Sequence, residues 1–254
     1  TRWKIIDIVL FGDLWYSLVM TDYNSESERL EAQYKEIFME SAKVIRHEID
    51  KFKPNFNCKT CTIPCDIKKV DIFEVFPPNC PYGAWQIKAL SFLTNEYKAK
   101  LKIAKKSMME KKNEYTCGKC GACCKLAVSE YSPIQLKQRA IRGDKFAKEF
   151  SQIYVAYESE DMAKAICPEY YDKLYDIMDP DERLYFYYCS KLGADDLCSD
   201  YENRPDICRD FPMTALKVLP DTCSYLPWHN AVEKLAMSIK SREDLIQFYK
   251  DKIG

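Results

Sequence analysis

Apolar residues recur at helical spacing through the first third of the chain. Leu30, Tyr34, Ile37, Phe38, Ile45, Ile49 and Phe52 follow the three-to-four-residue step of an amphipathic helix. Ser25-Glu26-Ser27-Glu28 has the form of a capping box in front of them, so the pattern predicts a helix from about Ser25 to Phe52, stopped by Pro54. A second helix is predicted from Trp85 to Lys112, with Leu90, Leu93, Tyr97, Leu101 and Ala104 inward. Ser132-Pro133 has the cap and first-position residues of another helix. Gly143 breaks it, and helix is expected to resume over residues 144–157. Pro168 starts one more helix, through Met178. The aromatic run Arg183 to Tyr188 reads as a short strand entering Cys189. Two helices close the chain, near His229–Lys240 and Ser241–Ile253. At the other end, Ile5 to Phe11 and Leu14 to Met20 are apolar. They are too short and too interrupted by Asp7 and Asp13 to span a bilayer, and they read as core, either a hairpin turned at Gly12-Asp13 or a buried helix.

The expected fold class is therefore mainly α: an irregular helical protein with few short strands, organised around cysteine-ligated metal or iron–sulfur centres. It divides into an N-terminal helical region, residues 1–114, and a cysteine-rich region, residues 115–254. There is no internal repeat and no low-complexity segment.

Composition sharpens this picture at one residue type. The 254 residues include 13 Cys and only 2 His. An odd number of cysteines excludes complete internal disulfide pairing. Lysine is abundant and no cleavable signal pattern opens the chain. The expectation is a reducing cytoplasm, where clustered thiols serve metal or redox chemistry. A net charge of −1 with 30% charged residues gives no general attraction to nucleic acid or to a membrane. The basic run Lys98 to Lys112 reads as a solvated helix face. No Ser-His-Asp arrangement, phosphate-binding loop or dinucleotide fingerprint is present.

The densest cysteine group is Cys117-Gly-Lys-Cys120-Gly-Ala-Cys123-Cys124. Two-residue gaps let sulfurs converge on one metal or cluster, and Gly118 and Gly121 allow the tight turns between them. Neighbouring side chains diverge, so one of Cys123 and Cys124 is expected to face elsewhere. Cys189, Cys198 and Cys208 follow, the last within Tyr201-Glu-Asn-Arg204-Pro-Asp-Ile-Cys208-Arg209-Asp-Phe-Pro212. Together these two blocks resemble the CxxCxxCC, or YkgJ-like, family of zinc- or iron-chelating domains, over roughly Tyr115 to Pro212. The resemblance implies metal binding by Cys117, Cys120, Cys123, Cys124, Cys189, Cys198 and Cys208. It implies no particular reaction.

Seven thiols exceed the four that one zinc ion or one cubane cluster takes. A four-thiolate site with spare thiols, two zinc ions sharing thiolates, and a cluster with one open iron all satisfy the arithmetic. The scarcity of histidine favours soft all-thiolate ligation, which suits iron–sulfur and four-cysteine zinc alike; [4Fe–4S] clusters are the expectation and zinc the alternative. Arg204 and Arg209 flank Cys208 and are candidates to offset the negative charge of such a centre. A second group, Cys58-x2-Cys61-x3-Cys65 with Cys80, lies in a proline-rich loop between the two long helices and is expected to hold its own metal or cluster. Cys167 and Cys223 stand alone and read as small buried residues, although either could complete the first centre. The functional expectation is an iron–sulfur protein acting by redox chemistry or on a protein or peptide side chain. The competing expectation is a non-enzymatic zinc module.

Overall fold

The computed structural model describes residues 26–67, 70–77, 79–176 and 183–253. The apolar segments predicted within residues 5–20 and the cap predicted at Ser25 lie outside them. Two compact units are present. One comprises residues 29–108 with 234–253, the other residues 109–233.

The first unit is helical. Helix α1, Glu26–Asp50, ends close to the predicted boundary. The second predicted helix starts earlier than Trp85, because Cys80 caps it and Pro81 takes its first position. It runs as α2, Pro81–Phe92, one π-helical turn, Leu93–Tyr97, and α3, Lys98–Glu110. The Thr94 hydroxyl donates to the Leu90 carbonyl at 2.9 Å within this stretch.

The two predicted closing helices are one, α10, Leu226–Ile253. Ser241, the predicted break, donates its hydroxyl to the Met237 carbonyl at 2.8 Å, which satisfies the side chain without interrupting the helix. Ile239, Leu245, Ile246 and Tyr249 of α10 pack in one core with Phe38, Ile45 and Ile49 of α1 and Trp85, Ala89 and Leu93. This is why residues 234–253 cluster with the N-terminal unit, whereas the sequence pattern had grouped them with the cysteine-rich region. The Trp85 indole N–H donates to the Ile49 carbonyl at 2.9 Å, so a large buried ring keeps its polar group satisfied.

The second unit wraps short elements around a three-stranded antiparallel sheet of order β1-β3-β2. Following the cysteine motif come α4, Ala122–Lys125, and β1, Ala127–Ser129. Helix α5, Pro133–Ile141, has a full capping box between Ser132 and Gln135. Gly143 takes a positive φ of 92°, and Asp144 caps α6, Lys145–Ile153. The predicted helix over 144–157 stops at Ile153. Tyr154–Ala156 form β2 instead and pair with the predicted strand, β3, Tyr185–Cys189, placing Tyr154 opposite Cys189 and Ala156 opposite Tyr187. Sheet pairing overrides the weak helical preference of these aromatic and β-branched residues. Helices α7, Glu160–Ile166, α8, Pro168–Asp176, and the short α9, Asp206–Arg209, complete the unit. Its apolar clusters are small: Leu126, Tyr171, Leu174 and Phe186 form one, and Leu136, Phe150 and Tyr187 another. Tyr170, Tyr171 and Tyr187 are buried, whereas Tyr175 and Tyr188 are exposed. Among the described residues no helix is long and apolar enough to cross a membrane.

Candidate metal centre

Backbone turns bring the cysteine motif into register. Lys119 and Gly121 both take left-handed conformations, φ 57° and 72°, which winds Cys117, Cys120 and Cys123 through a tight bend. Gly121 is required twice over. Its φ favours glycine, and a Cβ there would lie 2.7 Å from the Asp196 carbonyl oxygen. The Asp196 loop is closed by the Gly193 N–H donating to the Leu197 carbonyl at 2.7 Å. A Lys125–Asp196 ion pair of 2.6 Å joins it to the end of α4, and a bridge between Leu192 and Cys198 positions Cys198. Cys189 ends β3 and accepts from the Lys191 N–H at 3.4 Å. Cys208 sits in α9, whose Ile207 N–H donates to Glu149 of α6 at 3.2 Å.

These elements surround a cavity of about 320 Å³. All seven predicted cysteines of this region line it: Cys117, Cys120, Cys123, Cys124, Cys189, Cys198 and Cys208. Cys223, which reads in the sequence as an isolated buried residue, lines it as well. Cys167 does not, and packs instead beside the Leu126–Phe186 cluster. The thiols of Cys124 and Cys189 are hydrogen-bonded to each other. Hydrogen bonding with Cys123, together with burial, pushes the Cys124 thiol up to about 12. The Cys124 contact, then burial, pushes Cys189 up further. Burial does the same to Cys208 and Cys223. The Tyr154 hydroxyl lies 4.0 Å from the Cys208 sulfur and is held protonated by burial and by the surrounding thiols. Without metal, Cys124, Cys189, Cys208 and Cys223 are therefore held as neutral thiols, and a metal binding them displaces protons.

Among the described residues no three Cys, His, Asp or Glu side chains stand in an arrangement that could hold a metal ion. The sulfurs line a wall rather than meet at a point. The donor set is nonetheless that of a soft metal: eight thiols and no imidazole, with the Asp196 carboxylate engaged by Lys125. Arg204 reaches the cavity wall, donates to the Tyr201 carbonyl at 2.9 Å and stacks 3.5 Å over the Tyr201 ring. The Lys119 ammonium lies 4.1 Å from the same ring. Arg209 is not part of the wall; it is exposed and donates to the Glu202 carbonyl at 3.3 Å. Of the two predicted arginines, only Arg204 is placed to act on the cavity's contents. The sequence pattern gave no sign of Tyr154, and of the two isolated cysteines that could complete the centre it is Cys223, not Cys167, that lines the cavity. Tyr154 and Cys223 reach the wall through pairings across the fold, of which local spacing carries no trace.

The N-terminal cysteines are placed differently. Cys58 and Cys65 are exposed, Cys61 is half-buried and Cys80 is buried. Cys58 begins a single 3-10 turn capped by Asn57. Burial, then the nearby Cys58 and Cys80, raises the Tyr82 hydroxyl, so these two cysteines flank Tyr82. Cys65 lies in a shallow depression beside Phe73, Glu74 and Pro77. The four are not gathered into a metal-holding group.

A cavity walled by thiols defines a protein of the class that chelates soft transition metals. Residues 116–224 match the family model CxxCxxCC, described as "Putative zinc- or iron-chelating domain". No curated protein and no solved structure matches the chain.

Proposed function

We propose that the unit formed by residues 109–233 binds an iron–sulfur centre of the [4Fe–4S] type and that the protein works through the redox chemistry of that centre. The observation that carries this reading is the distribution of eight thiols around a cavity of about 320 Å³. A lone zinc ion draws four sulfurs to about 2.3 Å from one centre. A cubane cluster binds each thiolate through a different iron, so its ligands stand on separate walls of a larger space. The chain's own residues contribute three things. The cysteines supply the ligands. Arg204 and Lys119, stacked on Tyr201, place positive charge at the wall, which offsets the negative charge of a thiolate-bound cluster. Tyr154 directs a buried hydroxyl at Cys208, a contact of the kind that tunes a cluster's potential. Six of the cavity cysteines are only partly buried, so the centre lies within reach of an electron partner or of a protein or peptide substrate. The reading calls for a reducing compartment, as in the cytoplasm.

Anaerobic purification tests this directly. The expected protein is brown, absorbs near 400 nm, and contains iron and acid-labile sulfide in similar amounts. Colourless protein with stoichiometric zinc and no sulfide would overturn the iron–sulfur reading in favour of a zinc module.

A further inference from the structure

We propose that Cys58 and Cys61 form a reversible dithiol–disulfide pair that exchanges electrons with the disulfide of a partner molecule. The pair lies wholly within the N-terminal unit and does not depend on the metal reading of residues 109–233.

The backbone brings the two thiols together. Cys58–Thr60 form a single 3-10 turn, closed by the Cys61 N–H donating to the Cys58 carbonyl at 3.2 Å. Side chains three residues apart eclipse each other in such a turn, which brings Cys58 and Cys61 to one side of it. A rise of about 2.0 Å per residue sets their Cα atoms about 6 Å apart, inside the range of about 4.4–6.8 Å that a disulfide spans. The residues between them are already fixed. The Lys59 N–H donates to Asn57 Oδ1 at 3.0 Å, and Thr60 donates to the Asn57 carbonyl through its N–H at 3.2 Å and its hydroxyl at 3.0 Å. Tyr82 of α2 ties the preceding residues to the core, donating to the Phe56 carbonyl at 2.8 Å. The Ile63 N–H donates to the Cys61 sulfur at 3.4 Å. A turn held at so many points closes a disulfide ring with little further loss of backbone freedom.

Exposure divides the roles. Cys58 is exposed and Cys61 half-buried, so an incoming disulfide meets Cys58 first. Cys80 is buried at the start of α2, away from solvent. Cys65 lies outside the turn, in the depression beside Phe73, Glu74 and Pro77. The Cys58 sulfur gives up its proton and attacks one sulfur of the partner's disulfide. That bond breaks, a mixed disulfide forms, and the first partner thiol leaves with a proton. The Cys61 sulfur then attacks the Cys58 sulfur, closes the ring and releases the second partner thiol. Two thiols of this chain are oxidised and one disulfide of the partner is reduced, so two electrons and two protons change hands and no further reagent is needed. A partner dithiol runs the same steps in reverse. Disulfides of this transient kind are the ones that occur in reducing surroundings.

The full chain, purified anaerobically and reduced, is equilibrated with mixtures of glutathione and glutathione disulfide and, separately, with insulin as a disulfide-bonded protein. Free thiols are alkylated, the chain is cut with trypsin after Lys59, and the fragments are sequenced by mass spectrometry. After that cut only a disulfide keeps Cys58 joined to the segment that carries Cys61. A Cys58–Cys61 link is expected to appear as the disulfide fraction rises and to vanish with dithiothreitol. Cys61→Ser should lose the link and accumulate a mixed disulfide on Cys58. Cys58→Ser should lose both, and Cys65→Ser should retain the link. Oxidation by glutathione disulfide alone assigns a small partner, and oxidation by insulin as well assigns a protein; either supports the pair. Wild-type protein decides against it without recourse to any variant. A link from Cys58 to Cys65 or Cys80, glutathione left on Cys58 without ring closure, or both thiols free in the most oxidising mixture would each overturn the proposal. So would zinc that shields Cys58 and Cys61 from both reagents until it is chelated. None of these outcomes touches the metal reading of residues 109–233.

Discussion

The two cysteine groups look alike as text and differ as structure. Cys58-x2-Cys61-x3-Cys65 and Cys117-x2-Cys120-x2-Cys123 both have gaps short enough to let sulfurs converge. In the N-terminal unit the spacing stands on a loop with a single 3-10 turn, and Cys58 and Cys65 are left exposed. In the other unit the segments that carry the cysteines are held by contacts distant in sequence. Ser224 clasps Thr116–Gly118, the Asp196 carbonyl presses on Gly121, and β2 pairs with the end of β3. Spacing sets what a thiol can reach; contacts across the fold decide whether several thiols reach the same place.

The largest expected effect comes from removing metal. The N-terminal unit has an apolar core containing Ile45, Ile49, Ile72, Trp85, Leu93 and Leu245, all 2% exposed or less. The other unit has small apolar clusters, further buried residues such as Leu219 and Trp228, and a thiol-walled cavity. Burial of apolar side chains at about 1.5–3 kcal/mol each suffices for the first. On the metal-binding reading the second also draws on metal–thiolate binding, on the order of 10 kcal/mol for a structural site. Chelation or oxygen should therefore loosen residues 115–212 first. New protease sites are expected there, while α1, α2 and α3 keep their helical signal. An unchanged cleavage pattern in metal-free protein would show that apolar packing alone holds both units.

Single substitutions divide the groups next. Cys124→Ser removes a thiol that interacts with both Cys123 and Cys189 and, on the iron–sulfur reading, should lower the absorbance near 400 nm. The triple change Cys58→Ser, Cys61→Ser, Cys65→Ser should leave the metal bound in residues 109–233 unchanged. A triple variant that loses that metal would break the comparison. Gly121→Ala is a backbone test of the same cavity. The left-handed conformation alone costs a non-glycine residue about 1–2 kcal/mol, and the added methyl must also push back the Asp196 loop that leads to Cys198. A lower melting temperature with reduced metal content is expected, whereas Gly143→Ala, with nothing within 4 Å of its Cβ position, should change only stability.

What could be read from the sequence follows the same division between local and distant. Helix α1, the capping box at Ser132, the break at Gly143 and the strand entering Cys189 are local matters of periodicity and turn chemistry, and each was legible. Tyr154–Ala156 were read as helix because their strand pairing with Tyr187 to Cys189 depends on residues more than thirty positions away. Ser241 was read as a break because its bond to Met237 leaves no mark in composition. At the cavity, the two cysteine blocks identified seven of the eight thiols through the family resemblance. Cys223 was read first as a small buried residue and only second as a member of this centre, since its partner motif lies about a hundred residues upstream and a lone cysteine carries no spacing to interpret. Arg209 was paired with Arg204 by adjacency to Cys208. The helical turn of α9 points the two apart.

The smallest effect sharpens the comparison from the N-terminal side. The Tyr82 hydroxyl donates to the Phe56 carbonyl at 2.8 Å, two residues before Cys58, and the ring packs against Phe56 and Phe76. Tyr82→Phe keeps that packing and deletes the bond, a loss of about 1 kcal/mol. Because the Cys58 loop has few other anchors, the consequence should be local. Iodoacetamide should label Cys58 and Cys80 faster, with little change in melting temperature and none in the metal content of residues 109–233. Tyr154→Phe is the matching change at the cavity, where the hydroxyl faces Cys208, and there the expected readout is a shifted reduction potential at full metal content. If Tyr82→Phe altered the metal spectrum and Tyr154→Phe did not, the assignment of the redox centre to the second unit would be reversed. If each moves only its own readout, the two cysteine groups are independent in chemistry, as their different anchoring requires.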